Sequence, residues 1–150
     1  MHAHRPDFFE PAAVVVIDIV SAQHLDDLQC AYASLKGFLE GFQKKSVNVF
    51  ACFDNEEVGS GTKQGAGSTF LYDVLRRIHL GLGQSEEDYY RAVAGSFMLS
   101  ADNAHAVHPN HPDKTDVENC VYMNEGIVIK SHAGQKYTSD AVSIALFRDV

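Results

Sequence analysis

Two apolar segments of this chain end in carboxylates, and this feature restricts the possible folds more than any other. The apolar run at residues 47–53 leads into the pair Glu56 and Glu57. A second short run, at residues 96–101, is followed directly by Asp102. Acidic side chains at the ends of buried strands are costly unless a positive charge lies between them. A pair of metal ions of the kind used in hydrolysis is the most economical source of that charge.

Strand-like and helix-like patterns alternate along the chain. Valine- and isoleucine-rich or short apolar runs predict strands, and apolar residues at steps of three and four predict helices. Strands are predicted at residues 12–20, 47–53, 96–101 and 127–129, and helices at 25–42, 70–80, 85–94 and 140–150. Such alternation indicates an α/β domain, with helices on both faces of a mostly parallel sheet in three α/β/α layers. The polar stretch 103–125 is predicted to be a long surface loop, and loops of this length are often functional.

The carboxylates are predicted to meet at one edge of this sheet. Ligands of such sheets bind at the carboxyl ends of the strands, and Asp26, Glu56, Glu57 and Asp102 each follow a predicted strand. Adjacent residues that leave a strand point to opposite sides. One of the two glutamates can therefore bind a metal while the other takes a proton from a water molecule, as metal-assisted hydrolysis requires.

Simpler interpretations stay open for each of these features. An arbitrary Glu-Glu pair is usually a solvated loop tip. The glycine-rich segment 59–68 suggests a phosphate-binding loop, but it matches neither common glycine motif for nucleotides. Lys130 and Tyr137 follow a pattern typical of surface residues. His105 and His108, which lie close to Asp102 in the sequence, are stronger candidates for a site than the other histidines.

Composition restricts the class of protein. The chain has 150 residues and an apolar content of 45%, which fit a single domain over residues 1–150. Its net charge of −8 argues against nucleic acid or an anionic membrane as a partner. Three cysteines, an odd number, indicate reduced thiols and a cytoplasmic protein. No signal peptide or membrane-spanning run is visible.

Four segments together resemble the aspartyl aminopeptidase family of di-zinc exopeptidases. They are His-Leu-Asp-Asp-Leu at 24–28, Asp-Asn-Glu-Glu-Val-Gly-Ser at 54–60, Ser-Ala-Asp-Asn-Ala-His-Ala-Val-His-Pro-Asn at 100–110, and Val-Ile-Lys at 128–130. Several motifs in one order make a specific signal. The resemblance implies the zinc-exopeptidase fold and an enzyme that removes N-terminal Asp or Glu from peptides by means of a water molecule activated by two zinc ions.

The resemblance also implies a role for each metal-site residue. Asp26 matches the carboxylate that bridges the two zinc ions, Glu57 matches a ligand to one of them, and Asp102 matches a ligand to the other. Glu56 matches the general base, which takes a proton from the water and returns it to the departing amine.

The substrate-binding residues follow from the same resemblance. Lys130 matches the cation that receives the acidic side chain of the substrate, and Tyr137 matches a residue that helps polarise the scissile carbonyl. His105 and His108 match histidines near the site. The family forms large homo-oligomers.

The family pattern is incomplete in this chain. Relatives are several hundred residues long, and the resemblance places two zinc-binding histidines and an inserted oligomerisation domain outside this sequence. Asn103 stands where a methionine is common. We therefore expect an incomplete, central part of the catalytic domain. The alternative is a non-catalytic or truncated fragment of the same fold that acts as a binding or assembly module.

Overall fold

The computed structural model describes residues 22–41 and 45–149 of the chain. The polypeptide divides into two compact units, one formed by Met1–Leu25 and Asn103–Val150 and the other by Asp26–Asp102. The predicted strand at 12–20 and the last residue of each of the predicted helices 25–42 and 140–150 lie outside the described residues. The single domain predicted over residues 1–150 stays a prediction.

Helix α1 spans Leu25–Glu40 and confirms the first predicted helix. Asp26 interrupts the regular backbone near its start, with φ −89° and ψ 115°, and the Asp26–Asp27 peptide bond is cis. Both aspartates lie in the first turn, where the helix dipole favours negative charge. The apolar stripe that predicted this helix includes Leu28 and Tyr32, which are 63% and 65% exposed. This helix therefore brings two carboxylates to its N-terminal end.

Helices α2, Phe70–Gly81, and α3, Glu86–Ala94, pack against each other in the second unit. Tyr89 of α3 is 5% exposed, which makes it the only buried large apolar side chain of the described residues. Its ring meets those of Tyr72 and His79 of α2 edge-on, with centroids 5.7 and 5.6 Å apart. Edge-to-face aromatic pairs contribute about 0.5–1.5 kcal/mol beyond the area that they bury. These contacts hold the two helices together.

The start of α3 has a capping box formed by Ser85 and Asp88. The backbone N–H of Asp88 donates to the Ser85 hydroxyl at 3.2 Å, and the backbone N–H of Ser85 donates to the Asp88 carboxylate at 3.2 Å. Two backbone donors that have no partner within the helix are thus satisfied. The Ser85 hydroxyl also donates to the Asp88 carboxylate, and this bond, followed by the one from the Ser85 backbone N–H, lowers the pKa of the Asp88 carboxyl.

The described residues of the other unit include a long irregular stretch and an α-helix near the C-terminal end. Residues 103–125 form the predicted loop, in which Pro112–Lys114 make one 3₁₀ turn. Helix α4 spans Ala141–Arg148, and Asp140 caps it by accepting a hydrogen bond from the backbone N–H of Ser143 at 2.7 Å. The last predicted helix is therefore confirmed, although it begins one residue later.

The predicted parallel sheet is not confirmed. Residues 47–53, 96–101 and 127–129 have no regular secondary structure in the part of the chain that the structure describes. Their apolar side chains are largely exposed, as Val47 at 89% and Ile127 at 83% show. A strand is stabilised by hydrogen bonds to a neighbouring strand, and an apolar pattern alone supplies no such partner. The three-layer α/β/α fold therefore stays a prediction.

A membrane-crossing helix is not found in residues 22–41 and 45–149. None of the helices there combines the length and the hydropathy that such a span needs.

Candidate functional site

Three carboxylates form a cluster in the unit of Asp26–Asp102. Oxygen atoms of Asp26, Asp27 and Asp102 all lie within 4.8 Å of one another. Helix α1 brings the first two to its N-terminal end, and Asp102 follows the irregular segment 96–101. The structure thus brings together Asp26 and Asp102, as the sequence predicted, although they are far apart in the chain.

Asp27 is the member of the cluster that sequence reasoning missed. An aspartate in the first turn of a helix is explained by the helix dipole, so its type and position point to no further role. In the structure the Cys30 thiol, one turn along α1, donates a hydrogen bond to the Asp27 carboxylate. The sequence offered one signal for Asp27, which is that it places a second carboxylate directly beside Asp26.

The environment of Cys30 reflects this concentration of charge. Partial burial raises the pKa of the Cys30 thiol, and the negative charge of Asp27 and its hydrogen bond with the thiol raise the pKa further. Asp102 and Asp26 act in the same direction at longer range. The thiol is therefore held in its neutral form, as a hydrogen-bond donor to a carboxylate.

Glu56 lies in the electric field of the same acidic residues. Loss of hydration raises the pKa of its carboxyl, followed in size by repulsion from Glu57 and then from Asp102, Asp26 and Asp27. Four carboxylates of this unit therefore act electrostatically on Glu56. A bound cation would relieve this repulsion.

Glu57 is placed differently from its expected role. It is exposed and adds negative charge beside Glu56. Among the described residues that could hold a metal, it is not one of the three whose oxygens lie within 4.8 Å of one another. Its assignment as a zinc ligand stays a prediction.

The four predicted substrate residues all belong to the unit of Met1–Leu25 and Asn103–Val150. Lys130 is half-buried, and its ammonium donates to the backbone carbonyl of Asn103 at 2.6 Å. The ring of Tyr137 lies 5.8 Å from the same ammonium and meets the ring of His132 edge-on at 6.2 Å. Lys130 and Tyr137 are thus neighbours, which the sequence alone did not indicate.

The two candidate histidines have different surroundings. Both His105 and His108 are exposed. The His108 ring lies 5.2 Å from that of His111, which the sequence pattern assigned to the surface, and His108 Nδ1 accepts a hydrogen bond from the backbone N–H of Asn110 at 3.2 Å. The structure therefore pairs His108 with His111 and leaves the proposed roles of His105 and His108 as predictions.

The carboxylate oxygens of this cluster are among the ligand types that zinc accepts. Zinc accepts carboxylate oxygens at about 2.0–2.2 Å, so oxygens that share one tetrahedral ion lie roughly 3.5 Å apart. In this cluster the oxygens of Asp26, Asp27 and Asp102 lie within 4.8 Å of one another. Acidic clusters without a metal are also common on protein surfaces, so the identity of the metal rests on the family to which the chain belongs.

The sequence profile of the family described as Aminopeptidase I zinc metalloprotease (M18) matches residues 10–150. The chain belongs to the M18 family. The description of that family as a zinc metalloprotease supports zinc as the metal of the family. It also confirms the family resemblance that the four sequence segments indicated.

Curated relatives of this M18 chain include a probable M18 family aminopeptidase 2 from Clostridium acetobutylicum. It is 50% identical over 133 residues, which cover 89% of this chain and 31% of the relative. A probable aspartyl aminopeptidase from Ricinus communis is 36% identical over 140 residues, or 89% of this chain and 28% of the relative. The M18 chain thus spans about a third of the length of the curated relatives that it matches.

A solved structure resembles the M18 chain in fold as well as in sequence. One chain of the cryo-EM structure of the Ape4 and Nbr1 complex superposes with a TM-score of 0.67 and 39% sequence identity. The match covers 83% of the M18 chain and 25% of that chain.

Proposed function

We propose that this chain supplies the acidic residues of a zinc-dependent aminopeptidase centre that removes N-terminal Asp or Glu from peptides. The convergence of the Asp26, Asp27 and Asp102 oxygens within 4.8 Å, in a member of a zinc metalloprotease family, carries this proposal. The name of the relative from Ricinus communis, a probable aspartyl aminopeptidase, suggests the acidic specificity.

The proposed centre holds two zinc ions. Asp26, Asp102 and Glu57 would hold these ions, with Asp26 as the ligand shared by both. Bound zinc lowers the pKa of a water molecule and polarises a carbonyl group. The mutual repulsion of these carboxylates with Glu56 supports the assignment, because a cluster of negative charge is stabilised by a cation between its members.

Glu56 acts as the general base. Its carboxylate takes a proton from the attacking water and returns that proton to the departing amine after the peptide bond breaks. Its position beside Glu57, within the field of Asp26 and Asp102, supports this role because it lies next to the residues that bind the metal.

Lys130 and Tyr137 bind the substrate. The Lys130 ammonium pairs with the side-chain carboxylate of an N-terminal Asp or Glu, since charge-assisted hydrogen bonds are the strong ones. The Tyr137 hydroxyl donates to the scissile carbonyl, and His105 and His108 line the same region. The proximity of Lys130 to Tyr137 supports a shared substrate-binding role.

The proposal also covers the cellular compartment and the oligomeric state of the enzyme. We place it in the cytoplasm as a homo-oligomer. The three free cysteines Cys30, Cys52 and Cys120 favour a reducing compartment.

One observation favours a second candidate function, a non-catalytic or truncated fragment that serves as a binding or assembly module. In the described part of the chain, the cluster that could hold a metal contains three carboxylates and no histidine. Zinc sites of enzymes usually include histidine. A fragment of this kind would keep the fold and bind zinc weakly.

The test is release of aspartate from a peptide with a free N-terminal Asp. The purified protein is assayed with zinc, after treatment with a chelator, and on the same peptide with an acetylated N-terminus. The proposal predicts release that needs zinc and a free amino group. Folded protein that releases no aspartate with zinc would contradict the enzyme proposal and favour the fragment.

A further inference from the structure

The two glutamates of the proposed centre lie within one closed turn. The backbone N–H of Gly59 donates to the carbonyl of Asn55 at 2.8 Å, which encloses Glu56 and Glu57 in a five-residue turn. Asn55 begins the turn in the left-handed region, with φ 64°, and Gly59 ends it with φ 131°. Asparagine tolerates left-handed backbone better than most residues, and glycine adopts it freely. The direction of both carboxylates therefore depends on what holds Asn55 and Gly59.

A side-chain network ties the two ends of this turn to Thr62. The Asn55 amide donates to the Thr62 hydroxyl at 3.4 Å and to the Gln64 side chain at 3.3 Å. The Thr62 hydroxyl in turn donates to the Gly59 carbonyl at 2.8 Å, and the Thr62 backbone N–H donates to the same carbonyl at 3.1 Å. Hydrogen bonds thus link Asn55 to Gly59, Gly59 to Thr62 and Thr62 back to Asn55 in a closed ring.

Burial separates this ring from the carboxylates. Asn55, Gly59 and Thr62 are half-buried, whereas Glu56 and Glu57 are exposed. The residues of the polar ring are therefore better shielded from solvent than the two carboxylates. This is the arrangement expected of a support that does not itself contact substrate.

We propose that Asn55 and Thr62 form a positioning pair that fixes the direction of Glu56 and Glu57. This inference rests on the proposed function for its catalytic consequence. Neither residue touches the reacting atoms, and each acts through the turn. Side chains that orient metal ligands from outside the ligand shell typically change metal affinity or activity by about 10- to 100-fold when they are replaced.

Three variants test the pair. Thr62→Val keeps the shape and removes the hydroxyl, whereas Thr62→Ser keeps the hydroxyl. Asn55→Gly keeps the left-handed backbone and removes the amide. Zinc affinity, kcat and KM for an N-terminal aspartyl peptide are measured for each, together with backbone hydrogen exchange at Gly59 and Thr62.

The proposal predicts that Thr62→Val and Asn55→Gly lower kcat by about 10- to 100-fold, with a smaller change in KM, and weaken zinc binding. Thr62→Ser is expected to keep most of the wild-type kcat and zinc affinity. Because the two residues share one network, the double variant Asn55→Gly/Thr62→Val should be little worse than either single variant. Wild-type kcat and zinc affinity in Thr62→Val and Asn55→Gly would overturn the proposal.

Hydrogen exchange separates this inference from the proposed function. If the wild-type protein releases no aspartate, the proposed function fails, but faster exchange at Gly59 and Thr62 in both variants would still support the positioning pair. If hydrogen exchange at Gly59 and Thr62 is as slow in both variants as in the wild type, the proposed positioning pair is overturned, whatever the activity.

Discussion

The ammonium group of Lys130 lies 5.8 Å from the centre of the Tyr137 ring. It also donates to the Asn103 carbonyl at 2.6 Å. A cation within about 6 Å of an aromatic ring is attracted to its face. The two residues with separate proposed roles in substrate binding are therefore neighbours, and the charge of Lys130 is held in a defined place.

Replacement of Lys130 by alanine is expected to raise KM for a peptide with N-terminal Asp much more than for one with N-terminal Leu. Loss of one hydrogen bond to a charged group costs about 1.5–3 kcal/mol, or roughly 10- to 150-fold in the ratio of the two KM values. Steady-state kinetics on both peptides give this ratio. Lys136→Ala, at a nearby exposed lysine, should leave it unchanged. An equal rise for both peptides in Lys130→Ala would show that Lys130 does not select acidic residues.

Replacement of Asp102 by asparagine is expected to weaken zinc binding. The change removes one charge from the carboxylate cluster while it keeps the shape of the side chain. Removal of a side chain that only supports a metal ligand weakens metal binding by about 10- to 100-fold. Loss of a direct ligand should weaken zinc binding at least as much. Isothermal titration with zinc measures it. The matched control is Glu87→Gln, at an exposed glutamate in the first turn of α3. Equal zinc affinity in both variants would place the metal elsewhere.

Replacement of Gly65 by alanine is expected to disrupt the loop that follows Glu56 and Glu57. A β-carbon at Gly65 would contact the Ser60 carbonyl oxygen and lie only 2.7 Å from the Ser60 carbonyl carbon, so the backbone would have to move. Thermal unfolding should occur at a lower temperature and zinc should bind more weakly. Gly61→Ala is the control, because a β-carbon there has no atom within 4 Å. Similar behaviour of the two variants would mean that the loop accommodates the change.

The capping aspartate of α3 is expected to give a pH-dependent part of the stability. Hydrogen bonds from Ser85 lower the pKa of Asp88 below its ordinary value of 3.8 in the folded protein. The ionised form therefore stabilises the fold above pH 3.8, and this stabilisation is lost as the pH falls through the folded value. Asp88→Asn should lower the free energy of unfolding at neutral pH and have a smaller effect in acid.

Urea unfolding of Asp88→Asn and Glu87→Gln at several pH values measures this difference. The effect of Asp88→Asn should shrink as the pH falls, while that of Glu87→Gln should change little. If Asp88→Asn lowers the free energy of unfolding by the same amount at every pH, the stabilisation comes from the shape of the side chain and not from its charge.

The helices were predictable from the sequence because their signals are local. The pair Ser85 and Asp88, three residues apart, specified both hydrogen bonds of the capping box and the start of α3. Asp140 caps the start of α4 in the same way, because its side chain accepts a hydrogen bond from the backbone N–H of Ser143. Both signals depend on contacts within one turn of the chain.

Features that depend on distant parts of the chain were predicted less well. The apolar runs at 47–53 and 96–101 satisfied the strand pattern, but strand pairing needs partners that a pattern does not specify. The sequence predicted that Asp26 and Asp102 lie close together because each follows a predicted strand, and the structure brings them together although residues 96–101 form no strand. The presence of Asp27 in the carboxylate cluster was not predictable, because the helix dipole already accounts for an aspartate at that position.

The central claim is that Glu56 moves the proton in a reaction that zinc supports. The most direct test compares aspartate release by the wild-type protein and by Glu56→Gln at equal zinc content, measured on the same samples. The proposed function predicts that Glu56→Gln keeps its zinc and loses at least about 100-fold in kcat, the usual contribution of a general base. Activity equal to that of the wild type at the same zinc content would contradict it.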